Sequence, residues 1–179
     1  MNILKKLPES LNIDGRDYDI NTDFKTWLAV SEKLAEKDVF GVISLVFKEL
    51  PENLYSAITA LIEFYRGEYK PTKEKKGKAY YDFALDSELI YAAFWQQYGI
   101  NLNEIKLHWW EFKALFAGLT SKTRFIEIVG YRQIDLRTIK DKKEKKFYRD
   151  MKRIYKLPDK RSEEEKEADF NAELSGLFV

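Results

Sequence analysis

The amino-acid sequence predicts a mainly α-helical domain of about seven to eight helices with an N-terminal β-hairpin, on three observations. Apolar residues recur at helical spacing along most of the 179 residues. An alternating stretch, residues 10 to 21, is centred on Asp14-Gly15, which suits a type I′ turn because glycine accepts positive φ without steric cost. Proline and glycine fall between the helical segments rather than inside them.

Each element then follows in order. Leu11 and Ile13 face Tyr18 and Ile20 across the hairpin, and Thr22 or Asp23 caps a first helix carrying Phe24, Trp27, Leu28 and Leu34, which ends near Asp38. "FGVISLVFKEL" is a second helix stopped by Pro51. Pro51 is also expected to open a third, "PENLYSAITALIEFYRG", with Leu54, Ile58, Leu61, Ile62 and Tyr65 on one stripe and Gly67 as its C-terminal cap. Residues 66–82, with Pro71, two glycines and a lysine run, read as a flexible Lys-rich loop. Asp86 caps "SELIYAAFWQQYG", which Gly99 closes, and the next helix is expected from Asn101 or Asn103 to Gly118. Thr120 or Ser121 begins "KTRFIEIVGYR". Asp135 caps a basic helix, residues 136–157, that Pro158 ends. Ser162 and Glu165 have the form of a capping box for a C-terminal helix and tail, residues 162–179. No internal repeat is visible, and the length suits a single domain over 1–179.

A composition 45% hydrophobic and 34% charged is too apolar for a disordered chain and too charged for a membrane protein. No run reaches the roughly 20 apolar residues that cross a bilayer, and Pro8 and Glu9 interrupt any signal-peptide core, which leads to an expectation of a cytoplasmic protein. Without cysteine there is no disulfide, thiolate ligand or cysteine nucleophile. Net charge is +1 but polarised: residues 8 to 64 carry eleven acids against five bases, and residues 136 to 161 carry twelve bases against four acids.

The sole histidine lies in "LHWWEFKALFAGL". On a helix, Leu102, Ile105, Trp109, Phe112, Phe116 and Leu119 make one stripe, and Leu107, Trp110, Ala114 and Ala117 a second about 100° away, so the helix should be central. His108 then falls between Glu104 and Glu111 on the remaining face, as a half-exposed ring flanked by solvated acids. A carboxylate-bridged metal site needs further histidines that the chain lacks. No "GxSxG", "GxGxxG" or "GxxxxGK" occurs, so neither a nucleophile elbow nor a phosphate cradle is expected. The expectation is a non-enzyme with no catalytic residue, metal or cofactor.

Two groups of residues suit partner binding instead. Lys142, Lys145, Lys146, Arg149, Lys152 and Arg153 cluster on the basic helix, with Phe147, Met151, Ile154 and Tyr155 as a narrow apolar stripe to dock it. Clustered cations are the footprint of nucleic-acid binding, so a nucleic-acid module using residues 137–156 is the alternative function. Against it, Asp141, Glu144 and Asp150 interrupt the run and "SEEEKEAD" follows with five acids. The same surface could meet an acidic patch, such as the N-terminal segment of another subunit, which would make the protein self-associate. The second group, Phe170, Leu174, Leu177 and Phe178, is either clasped by the core or offered to a partner's groove.

"INTDFKTW", "IYAAFWQQYGINL", "LHWWEFKALFAGL", "IVGYRQIDL", "KFYRDMKRIYKLPD" and "EKEADFNAELSGLF" together resemble the bacteriophage gene product 15 family of long-tailed phages and prophages of Gram-positive bacteria. Genes of that family commonly lie between those of the major tail protein and the tape measure protein, where tail assembly chaperones are encoded. The resemblance implies a non-enzymatic helper that binds the tape measure protein and recruits tail tube protein in the host cytoplasm, and that is absent from the mature virion. It supplies no catalytic motif to carry over.

Overall fold

The computed structural model describes residues 5 to 67 and 79 to 158. Among them are seven helices and one two-stranded antiparallel sheet, so the protein is mainly α with an N-terminal hairpin. Strand β1 (Ser10–Ile13) pairs with β2 (Arg16–Asp19) in a register that sets Leu11 against Tyr18. Asp14 and Gly15 both have positive φ, 51° and 89°, as a type I′ turn requires. Ile13 and Tyr18 are buried while Asp17 and Asp19 face water.

Side-chain caps decide most helix starts. Asp23 accepts the Lys25 N–H to open α1 (Phe24–Ala35), and Asp38 accepts the Gly41 N–H to open α2 (Val39–Val46). Gly41 and the Lys33 ammonium hold the Asp38 carboxyl below its usual range. Helix α3 (Leu54–Arg66) starts three residues after Pro51, not at it, because Asn53 accepts the Ser56 N–H and supplies the cap that proline cannot. Gly67, at φ 71°, ends α3 as expected. Helix α4 (Ser87–Tyr98) follows Asp86, whose carboxylate serves the turn before it by accepting the Asp82 N–H rather than capping the helix. Gly99 closes α4 in the left-handed conformation.

The largest departure from the sequence reading lies between Asn101 and His108. No helix runs there, and α5 (Trp109–Ala117) is shorter than the spacing predicts. The backbone of 107 to 109 is spent elsewhere: Leu107 O accepts the Phe24 N–H, and the Trp109 N–H donates to Thr22 O, forming a bridge opposite Asp23. These bonds satisfy the amide ends that a continuous helix would have used. Helix α6 (Arg124–Gln133) starts after Thr123, whose buried hydroxyl donates to Thr120 O, rather than at Thr120 or Ser121. Helix α7 (Lys142–Ile154) starts six residues later than expected and is capped by Asp141, which accepts the Glu144 N–H. Asp135 is taken up by Arg137, accepting both its N–H and its guanidinium, so it makes a turn instead of a cap. The expected C-terminal helix and tail, and residues 68 to 78 of the Lys-rich loop, lie outside the described residues.

The chain divides into two compact units, residues 1–127 and 128–179, with the division inside α6. The first holds an aromatic core centred on Phe112, which stacks on Phe24 at 4.8 Å and on Phe94 at 5.3 Å. Trp27 has no exposed surface, packs on Phe64 at 4.6 Å, and donates its indole N–H to Asn21 O at 2.8 Å. In the second unit, Tyr131 rings pack with Phe147, Tyr148 and Tyr155.

Candidate functional site

The two adjacent tryptophans of α5 finish another helix. The last carbonyls of α3 run out of helical donors, although Phe64 O also takes the Gly67 N–H at 3.1 Å, which leaves a polar, partially negative end inside an aromatic setting. Trp110 donates its indole N–H to Phe64 O at 2.8 Å, and Trp109 donates to Tyr65 O at 3.0 Å. The Lys113 ammonium, one turn further along α5, donates to Tyr65 O and Arg66 O, both at 2.7 Å. It also sits 5.5 Å from the Trp109 ring centroid, within cation–π reach. Three side chains of one helix thus cap the end of another, and sequence spacing alone shows no such pairing.

His108 is the N-cap of α5, not a residue on a solvated helical face. Its Nδ1 accepts the Trp110 N–H at 3.1 Å, and Glu111 closes a capping box by accepting the His108 N–H at 3.0 Å. Its Nε2–H donates to Pro8 O at 3.0 Å. An accepting Nδ1 and a donating Nε2 define the neutral Nε2–H tautomer. Both nitrogens are therefore occupied in holding the fold together. Glu104 lies in the turn before, so the Glu-His-Glu face expected from the spacing does not form. Among the described residues no cluster of histidine and carboxylate side chains could hold a metal ion.

Beside this junction an open groove of about 530 Å³ is lined by Tyr65, Tyr81, Phe83, Trp110, Phe116 and Ala117, with Lys113 in its wall. Burial there pushes the Tyr65 and Tyr81 hydroxyls above their usual range and pulls the Lys113 ammonium below its own. Tilted aromatic contacts fix the walls, between Tyr81 and Phe116 at 5.2 Å and between Phe83 and Phe116 at 5.3 Å. Sequence reasoning did not find this groove. Its one signal was a lone cation, Lys113, inside the apolar run "WWEFKALF".

The predicted basic residues all lie on α7, with different environments. At about 100° per residue, Lys142, Lys146, Arg149 and Arg153 fall within an arc of about 60°, and all four are exposed. Lys145 and Lys152 lie to one side and are half-buried, and Lys152 is a structural staple that donates to Ile134 O at 2.6 Å. Arg132 pins the far end by donating to Tyr155 O at 2.6 Å. The docking stripe is rotated from the expected one: Tyr148, Met151 and Tyr155 are half-buried, whereas Phe147 and Ile154 remain 49% and 60% exposed. Asp150 reaches Arg153 at 3.5 Å from the edge of the arc. The other predicted group, Phe170, Leu174, Leu177 and Phe178, lies outside the described residues.

Among the described residues no helix is long and apolar enough to cross a membrane. Comparison with curated proteins and with solved structures finds no match. The family model described as "Bacteriophage Gp15 protein" matches residues 3 to 157 of the 179, and the chain belongs to that bacteriophage family.

Proposed function

We propose that the protein is a non-enzymatic helper of phage tail assembly that works as a chaperone, binding the tape measure protein and assisting polymerisation of the tail tube protein. It acts without a cofactor in the cytoplasm of the bacterial host and does not stay in the virion. Membership of a phage family supports the setting. The observation that carries the binding role is the open aromatic groove against α5. An apolar helix laid in such a groove trades water contact for aromatic side chains that are already ordered, so little conformational entropy is lost on binding.

The test is co-expression with the tape measure protein, comparing the native chain with Ala117→Arg. Ala117 is exposed at the groove wall, so arginine blocks the groove without entering the core. Native protein should keep the tape measure protein soluble and co-purify with it, and the variant should recover roughly a tenth as much or less, as for a contact worth about 1.4 kcal/mol. Equal recovery from both would remove the groove from the account, and failure of the native chain to co-purify would remove the chaperone role.

The exposed cations of α7 favour a second reading, a nucleic-acid module using residues 137–156. It predicts gel shifts of DNA or RNA that weaken steeply with added salt. It leaves unexplained why Phe147 and Ile154 stay exposed beside the cations.

A further inference from the structure

Helix α7 presents two chemistries to solvent. Lys142, Lys146, Arg149 and Arg153 make a cationic row with spacing 4, 3, 4, and exposed Phe147 and Ile154, seven residues apart, lie about a third of a turn further round the helix, with Lys143 and Asp150 between. The orientation is fixed, because Tyr131 packs on Tyr148, Tyr155 and one edge of Phe147, and the Lys152 and Arg132 hydrogen bonds hold the helix from the same unit. A phosphate backbone would use the row but gain nothing from the apolar pair. A protein surface that is both acidic and apolar would use both.

The same chain carries such a surface, in its other unit. Where the hairpin turn meets the α2–α3 connection, Arg16 is bracketed by Glu49 at 2.8 Å and Glu52 at 3.6 Å. Asp14 is fixed nearby by Asn53 at 2.7 Å and Ser56 at 3.0 Å. Among these carboxylates Leu50 is 66% and Tyr55 82% exposed. Large apolar side chains that open to water beside like charges are the chemical complement of the α7 face.

We propose that α7 of one copy docks on the acidic-apolar patch of a second copy, pairing the cationic row with Asp14, Glu49 and Glu52 and letting Phe147 and Ile154 reach Leu50 and Tyr55. The two faces differ, so the contact is heterologous and each joined pair keeps one free face of each kind; repetition gives a ring or an open chain. The inference is independent of the groove and of the tape-measure reading.

The experiment is sedimentation velocity on the full-length protein over a range of concentrations, at low and at high salt. Three samples are compared: the native chain, an α7 variant with Lys146→Glu and Arg149→Glu, and a patch variant with Glu49→Lys and Glu52→Lys. The native chain should associate with rising concentration, and salt that shortens the Debye length from about 10 Å to about 3 Å should weaken association. Each variant alone should need roughly tenfold higher concentration to associate. Mixed together, they should associate again, because each reversed face then meets its opposite. Circular dichroism melts identify any variant that fails to fold, and Glu52→Gln with Arg149→Gln then gives a milder pair that should weaken association in the same direction. A native chain that stays monomeric at all concentrations, association unchanged in both variants, or a mixture without rescue overturns the proposal. Nucleic-acid binding lost only in the α7 variant, with no self-association in the native chain, would assign the row to the phosphate reading instead.

Discussion

Replacing Lys113 by methionine tests whether the junction between α5 and α3 is a working cap. Methionine keeps the aliphatic bulk against Trp109 but removes the ammonium that contacts Tyr65 O and Arg66 O at 2.7 Å. Burial lowers the Lys113 pKa, which means that the site favours the neutral amine more than water does. Desolvation of the ammonium offsets part of what these charge-assisted contacts return, so each is worth about 0.5–1.5 kcal/mol net rather than the larger value for exposed charged groups. Tyr65 O still receives the Trp109 N–H in the variant, and water can reach Arg66 O, so neither acceptor is stranded. A loss of about 1 kcal/mol remains, which corresponds to a fall in Tm of roughly 2–4 °C for a chain of this size.

Urea and thermal unfolding of the variant against the native chain give the measurement, with Lys143→Met on the exposed side of α7 as a control expected to stay within about 0.5 kcal/mol. The lowered pKa adds a sign. Below the folded pKa both states carry the proton; between it and the ordinary value near 10.5 the unfolded chain holds a proton that the folded chain has lost, so native stability rises with pH there and the variant lacks that rise. A variant as stable as the native chain, with the same dependence on pH, would refute the claim that Lys113 caps α3.

Other substitutions probe separate links. Trp27→Phe removes the donor to the Asn21 carbonyl and part of a ring with no exposed surface, and should cost about 2–4 kcal/mol in chemical denaturation. His108→Ala should lose about 1 kcal/mol of helix-cap stability, whereas His108→Asn, a good capping residue, should recover much of it; equal loss in both would mean that the Pro8 contact matters more than the cap. Arg137 holds the Asp135 carboxyl down to about 2, against 3.8 ordinarily. That contribution is present above the ordinary value and is lost as pH falls through the folded one, so Asp135→Asn should flatten the stability profile between about pH 4 and pH 2, and NMR titration of the carboxyl should find its midpoint near the lower figure.

Local chemistry was legible wherever one residue type has one backbone role. Asp14-Gly15 predicted the hairpin turn, and Gly67 and Gly99 predicted where α3 and α4 stop, because positive φ leaves few alternatives. Starts were harder to place. Pro51, Asp86 and Asp135 are each acceptable at a helix start, but the side chains that cap α3 and α7 are Asn53 and Asp141, because Asp135 is committed to Arg137 and Asp86 to Asp82. Which of several eligible side chains takes the cap depends on partners that the local sequence does not name.

The misplaced start of α5 shows the same limit at longer range, and it bears on the site. Leu102, Ile105 and Trp109 have helical spacing, and a continuous helix from Asn101 would have put His108 between two glutamates. Tertiary hydrogen bonds to Thr22 and Phe24, about eighty residues away in sequence, outweigh that periodicity and hold His108 extended at the helix start. Starting the helix at Trp109 makes His108 its cap and sets Trp109, Trp110 and Lys113 on its first turns, where they reach the carbonyls of α3. The histidine that looked most like chemistry is thereby a brace, and the groove arises from the same choice of helix start. On α7, with one side packed and the other open, the cationic row needed only a helical wheel to be found, but the exposure of Phe147 and Ile154, about a third of a turn away, depends on how Tyr131 and Lys152 set the rotation of the helix. That rotation is the physical difference between a helix that reads only phosphate charge and one that can also bury apolar surface against a protein.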